Sequence, residues 1–284
     1  MKHSTKIILL VSAGLVSFGL ILSAIGLICG GSLSNIMNHG LWRFTGYQKI
    51  HYDNTFDKDN TYHVSASSIH SIDVDWIDGD ISVVPYDGDD IILTESSNKE
   101  LGDEYCLRYR IKSGKLLIEY CKSKYYIGLD LSEEDNFPTK TLEIKVPKDL
   151  AENLQELSVD AISSDVQLED IGSEEFSIDT ISGNLSGTLL LADEITFDST
   201  SGSMDLKLSH CPSSFEMYTI SGDCTLYLPK KTGLTCEFDT ISGDFDSEFD
   251  TYPEDDEEFI IGSGKASFEF SSTSGSMTVK KLKH

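Results

Sequence analysis

Apolar and polar side chains alternate along the C-terminal two thirds of the chain, in blocks that share one phrase. The blocks read IDVDWIDGDISVV (72–84), VDAISSDVQLED (159–170), IDTISGNLSGTL (178–189), FDSTSGSMDLKL (197–208), MYTISGDCTLYL (217–228), FDTISGDFDSEF (238–249) and FSSTSGSMTVKK (270–281). They align on Gly79, Ser164, Gly183, Gly202, Gly222, Gly243 and Gly275, at intervals of 19, 19, 20, 21 and 32 residues from 164 onward. Seven and five residues before this anchor, and two and four after it, 26 of 28 positions are apolar; only Gly187 and Ser247 are not. The interleaved positions are polar in 27 of 28 cases, with Tyr218 the exception. Period two over four or more residues is the mark of a strand with one buried face.

The phase of the pattern slips by one residue within Thr-Ile-Ser-Gly, as a corner or bulge between two strands requires. The anchors are therefore expected to be corners, with glycine supplying unusual backbone angles and Ser or Asp bonding the local backbone. Units of 19–21 residues then run strand, corner, strand, return turn, and stack at about 4.8 Å. The fold expected is all-β, a single-stack parallel β-solenoid of the β-helix or β-roll kind, with an N-terminal transmembrane helix. Residues 85–150 break the repeat with extra strands that start and cap the sheet, ahead of repeats over 154–284. Residues 250–264, which hold the acidic run Glu254–Glu258, read as a surface loop.

Residues 7–28 carry no charged side chain. They are long enough to cross a hydrocarbon layer of about 30 Å and longer than the core of a cleaved signal. Lys2 and Lys6 precede them and no acid does, which places the N-terminus in the cytoplasm. The expected organisation is a cytoplasmic tail over 1–6, a single-pass membrane anchor over 7–29, a tether over 30–65 and an extracellular β-domain over 66–284. Twenty-two basic against 48 acidic residues give −26, so nucleic acid and anionic lipid headgroups are poor ligands. Divalent cations, basic peptides and neutral glycans stay open.

Candidate chemistry is sparse. Asp75, Asp160, Asp179, Asp198 and Asp239 recur four residues before the anchor, and such a carboxylate column invites calcium. The competing reading is structural: Tyr218 and Ser271 interrupt the column, and each Asp can face solvent or bond the corner. Cys106 and Cys121 flank a hairpin turning on Ser113-Gly114; if Lys112 opposes Lys115 the two cysteines oppose each other, within reach of a disulfide in an oxidising exterior. Cys224 and Cys236 fall in apolar columns. No spacing marks a zinc site, a Gly-x-Ser-x-Gly nucleophile or a His pair, so neither catalytic residues nor a cofactor are expected.

The stretch TLEIKVPKDLAENLQELSVDAISSDVQLEDI, followed by the Thr-Ile-Ser-Gly and Thr-Ser-Gly-Ser copies, resembles a bacterial putative-adhesin family of unknown function with β-strand repeats, domain-of-unknown-function family 4097. The likeness covers roughly residues 66–284. It implies a β-solenoid-like domain, often on a membrane anchor, with a link to surface adhesion or envelope stress, and it brings no catalytic residues. The expected function is a non-catalytic interaction, adhesion or envelope-sensing module whose partner is an envelope protein or glycan. The alternatives are a glycan-active solenoid enzyme and a calcium-stabilised stalk.

Overall fold

A computed structural model describes residues 51–55, 57–103, 105–121, 138–253 and 258–283. The expected tail, the anchor over 7–29 and most of the tether lie outside the described residues. Among the described residues no helix is long and apolar enough to cross a membrane.

The strands are β1 (Thr61–Ser65), β2 (Ser71–Asp78), β3 (Ile81–Tyr86), β4 (Asp90–Ser97), β5 (Arg108–Lys112), β6 (Lys115–Glu119), β7 (Lys140–Pro147), β8 (Leu154–Ser163), β9 (Val166–Ser182), β10 (Leu185–Ser201), β11 (Met204–Leu208), β12 (Ser214–Ser221), β13 (Cys224–Leu228), β14 (Leu234–Ser242), β15 (Phe245–Ser247), β16 (Thr251–Pro253), β17 (Glu258–Ile261), β18 (Ala266–Ser274) and β19 (Met277–Lys281). A single turn of helix, α1 (Lys148–Ala151), joins β7 to β8.

Two ladders face each other across the core. One runs β5–β6–β2–β8–β9–β10–β12–β18–β14–β17–β16. The other runs β1–β4–β7–β3–β9–β10–β11–β13–β19–β15. The long strands β9 and β10 serve both: each gives its first half to the second ladder and then turns into the first. From β2 to β14 and from β7 to β15 every pairing is parallel. The fold is thus all-β, open and solenoid-like, and each rung meets its neighbours with like residues in register.

The alternation locates the core. Of the 28 positions in the apolar columns, 25 are buried; Gly187, Phe245 and Ser247 are half-buried. Phe245 and Ser247 lie on β15, which pairs only with β19 among the described residues, so no further rung covers that strand. Across the core Phe238 meets Phe245 at 5.8 Å, and along it Phe238 stacks on Phe270 at 5.3 Å.

The rungs do not follow chain order throughout. β18 inserts between β12 and β14, so the last repeat sits inside the stack and the one before it lies outermost. The segment read as a surface loop makes this exchange, for it forms β16 and β17, and β17 pairs antiparallel with the outer edge of β14. A 32-residue interval gives the chain length to pass over one rung position, cap the end and return. The tether is also shorter than expected: Thr61–Ser65 is strand β1, and Asp53 and Asn54 bond the backbone of Leu107, Tyr109 and Ile111 beside β5.

At the other end a buried cation ties several elements together. Lys140 and Glu95 are fully buried, with Nζ 2.8 Å from Oε2. Lys140 also donates to the carbonyls of Tyr105, at 2.8 Å, and of Tyr120. Its Nζ lies 3.9 Å from the Tyr120 ring and 4.7 Å from the Trp76 ring, and the Trp76 indole donates to the Lys140 carbonyl. Glu95 turns its other oxygen to the Leu107 amide at 2.8 Å. Burial pushes the Lys140 ammonium down, against the pull of Glu95.

Removing one partner of such a pair leaves an uncompensated buried charge. Lys140→Ala is therefore expected to destabilise by about 3–5 kcal/mol in urea unfolding, whereas Lys140→Met with Glu95→Gln, which removes both charges and keeps an acceptor for the Leu107 amide, recovers part of that loss.

Candidate functional site

The corners form a polar trough of about 770 Å³ that runs along the stack. Seven rungs contribute to it, a length of about 29 Å at ladder spacing. Three columns build it: the anchors as floor, the residue before each anchor, and the residue after it.

The floor corrects the reading of the glycines. Of the corner glycines only Gly79 has positive φ, at 99°. The others are there because a side chain will not fit. A Cβ built on Gly183 falls 2.0 Å from the Ser164 carbonyl oxygen, on Gly202 2.0 Å from that of Gly183, on Gly222 1.9 Å from that of Gly202, on Gly275 2.1 Å from that of Gly222, and on Gly243 1.9 Å from that of Gly275. Each anchor amide meanwhile donates to the residue before the next anchor, as in Gly183 N to Ser201 O and Gly202 N to Ser221 O, both 3.3 Å. The ladder therefore runs unbroken through the corner. Beneath it lies a hydroxyl column, Thr180, Ser199, Thr219, Ser272 and Thr240, whose oxygens are buried and have no hydrogen-bond partner among the described residues.

The residue after the anchor bonds the next rung, where the sequence suggested its own backbone. Asp165 Oδ1 accepts the Asn184 amide (2.7 Å), Asn184 Oδ1 that of Ser203 (3.0 Å), Ser203 Oγ that of Asp223 (3.2 Å), Asp223 Oδ1 that of Ser276 (2.9 Å) and Ser276 Oγ that of Asp244 (3.2 Å). Asp, Asn and Ser are short side chains that hold an oxygen close enough to the backbone to do this.

The residue before the anchor has no such duty. Ser163, Ser182, Ser201, Ser221, Ser274 and Ser242 follow Asp78 in register. All six serines are exposed on the trough wall, and among the described residues no protein group bonds their hydroxyls. Sequence reading counted Ser-Gly as one corner device and missed that its serine is idle; the signal lay in its repetition.

The aspartate column stands outside the trough, on the outer face of the first ladder. Glu119, Asp75, Asp160, Asp179 and Asp198 are in direct register, and Tyr218 and Ser271 then separate Asp198 from Asp239. Among the described residues, the carboxylates whose oxygens converge within 4.8 Å are Asp73, Asp75 and Asp160, a different set from the four calcium candidates Asp160, Asp179, Asp198 and Asp239. Partial desolvation, then the neighbouring carboxylates, raise Asp75, Asp160 and Asp198 to about 6. Asp179 shares hydrogen bonds with both Asp160 and Asp198. Three oxygen donors of this kind can gather a hard divalent cation. Lys115, 3.9 Å from Asp73 and 2.7 Å from Glu156, already offsets part of the charge.

The anticipated Cys106–Cys121 bridge is not made; both side chains are buried thiols near the Lys140 ammonium. The hairpin register holds from Lys112 opposite Lys115 to Arg108 opposite Glu119. It stops there because the Leu107 amide turns to Glu95, and Cys106 Sγ faces Asn60 Oδ1 at 3.8 Å. Burial raises Cys106 to about 12 and Cys121 to about 11. Cys224 and Cys236 are core residues, with Cys236 Sγ 3.7 Å from the Met277 sulfur.

A family model matches residues 69–283. The chain belongs to the Toastrack DUF4097 family. Solved structures similar to this Toastrack chain include a putative cell adhesion protein from Clostridium sporogenes ATCC 15579, at 13% identity and TM-score 0.49, covering 78% of this chain and 98% of that one. A putative adhesin from Bacteroides fragilis NCTC 9343 is 14% identical with TM-score 0.40, covering 78% and 96%. A putative lipid binding protein from Parabacteroides distasonis ATCC 8503 is 13% identical with TM-score 0.33, covering 82% and 99%. No match is found among curated proteins.

Two outcomes test the site's physics. Gly222→Ala forces a methyl against a backbone carbonyl and is expected to lose about 1–3 kcal/mol or more in urea unfolding, while Ser201→Ala stays within about 0.5 kcal/mol. The raised carboxyls make the folded state bind protons between the unfolded aspartate range near 4 and the folded value of about 6. Stability from this column therefore rises as pH falls from 7 to 5. Scanning calorimetry should show that rise, and Asp160→Asn should raise the pH 7 melting temperature and flatten the slope.

Proposed function

We propose that this Toastrack chain is a non-catalytic binding module of the cell envelope, anchored by residues 7–29 with its β-domain outside, and that the corner trough is its working face. One observation carries this reading: six exposed serines repeat in register along a trough, while the anchors beside them pack against the next rung and the residues after the anchors bond it. Polar groups with no internal role, set in a concavity, are what a recognition surface needs. The trough acids Asp165 and Asp223 are acceptors in the inter-rung chain, which favours binding over acid–base chemistry on a glycan. The Asp73–Asp75–Asp160 cluster supports a second reading, a stalk stiffened by calcium.

Two measurements on the full chain test the module. In intact protoplasts a C-terminal tag should be digested by added protease; protection would place the domain inside. Detergent-solubilised protein should be retained by isolated envelopes, and the triple variant Ser182→Val, Ser201→Val, Ser221→Val should lose at least fivefold of that retention. Equal retention by the variant would show that the trough is not the working face.

A further inference from the structure

The last rungs carry a surface opposite in sign to the rest of the chain. Lys207 on β11, Tyr227 on β13 and Lys280 on β19 are in direct register on the outer face of the second ladder. They line a depression of about 290 Å³, together with Lys281, Lys283 and Glu248. The Leu282 amide donates to the Leu228 carbonyl at 2.8 Å, which carries the ladder past the strands and sets Lys283 beside the turn holding Lys230 and Lys231. Six lysines from three separate segments thus meet at one place, and no local run in the sequence announces them.

These lysines are left unneutralised in a chain where acids outnumber bases 48 to 22. Arg108, Arg110, Lys115, Lys140, Lys145 and Lys148 each pair with a carboxylate. Among the described residues none of the six lysines of the last rungs does. Two of them contact rings instead: Lys280 Nζ lies 5.3 Å from the Tyr227 centroid and Lys281 Nζ 5.2 Å from that of Phe249. A ring face holds an ammonium in place without cancelling its charge. Glu248, the acid of the depression, gives Oε2 to the Lys281 amide at 3.0 Å. Edge protection explains a lysine on an open strand, but β11, which carries Lys207, is covered on one side by β10 and on the other by β13. Like charges gathered in this way repel, and a bound anion relieves the repulsion.

Spacing and charge select the ligand. Lys207 and Lys280 stand two rungs apart, about 10 Å at ladder spacing, farther than one small anion spans. A strand with repeated charges meets both and gains by multivalency. An ammonium donates three hydrogen bonds, accepts none and acts as a point charge. Phosphate suits it, because oxygens facing several directions accept from more than one lysine. The Tyr227 and Phe249 rings are already taken by lysines, which leaves no platform for stacking bases. A flat membrane would also meet Asp205 and Asp246, exposed on the same face, whereas a single strand can follow the lysines alone. The net −26 does not forbid such binding, since at physiological salt charges beyond about 8 Å are largely screened and the local group dominates.

We infer that this corner of the stack binds a linear, base-free phosphodiester polyanion, at a second site separate from the trough. The test is fluorescence anisotropy of labelled poly(glycerol phosphate) with the full chain in neutral detergent, at about 0.15 M salt. Saturable binding is expected. Lys207→Gln with Lys280→Gln should weaken it at least about tenfold, since each lysine near an anionic surface contributes about fivefold. Lys207→Arg with Lys280→Arg, which keeps both charges, should stay within about threefold of the parent. Lys58→Gln with Lys99→Gln removes the same net charge from exposed lysines outside the group and should change binding by less than about twofold. Unaltered melting of the variants shows that they are folded. Absence of saturable binding overturns the inference, and so does an equal loss in both glutamine pairs, which would report net charge alone. Tighter binding of single-stranded DNA, or of polyglutamate, overturns the ligand class. Capture by phosphatidylglycerol vesicles with no polymer bound assigns the corner to a membrane and also overturns it.

Discussion

The structure depends on how closely successive rungs approach at the corner. Carbonyl oxygens stand about 2 Å from where a Cβ would be on five glycines in a row, closer than any side chain tolerates. That contact keeps the parallel ladder continuous while the chain changes direction, so the anchor amides bond the next rung instead of being stranded at a turn. The register of everything else follows from it. The core phenylalanines stack, the Asp–Asn–Ser chain links its oxygens to neighbouring amides, and the aspartates outside are forced into one row. In that row Asp75, Asp160 and Asp198 have raised pKa values, first because burial desolvates them and then because in-register stacking sets carboxylates side by side.

A parallel stack must also end. The two ends of this one are finished differently. At the β16–β17 end an antiparallel hairpin covers the edge of β14, a common protection for an open strand. At the other end β4 turns antiparallel onto β7 and the β5–β6 hairpin covers β2. There Lys140 and Glu95 join β7 to β4 and to the Tyr120 carbonyl after β6. A buried ion pair is weak evidence of net stability; its clearer effect is to favour one arrangement of these strands, since any other leaves a charge without a partner.

The row of exposed serines is a by-product of the same geometry. A corner that needs glycine on its floor and a short oxygen-bearing side chain after it becomes a shallow channel lined by whatever precedes the glycine. Serine there is neither packed nor bonded, and its column is as straight as the stack.

Much of this was legible in the primary structure, because a period-two pattern repeated at a fixed interval leaves few folds. The apolar columns, the corners and the parallel stacking follow from residues such as Phe176, Ile195 and Phe215 recurring at one offset. The same phase, extended back from Leu142, Ile144 and Val146 in β7, reaches Lys140. Extended forward from Ile91 and Leu93 in β4, it reaches Glu95, so a charge in an inward position was there to be read on both strands. Other features have no local signature. The exchange of the last two rungs, the strands hidden in 250–264, the absence of a Cys106–Cys121 bridge and the task of each glycine depend on which chain segment lies one ladder spacing away. Sequence determines which face of each strand is buried, since that is a property of alternate residues. Only the tertiary structure decides which rung each strand meets, because neighbours in the stack are chosen by packing and amide pairing between residues far apart in the chain.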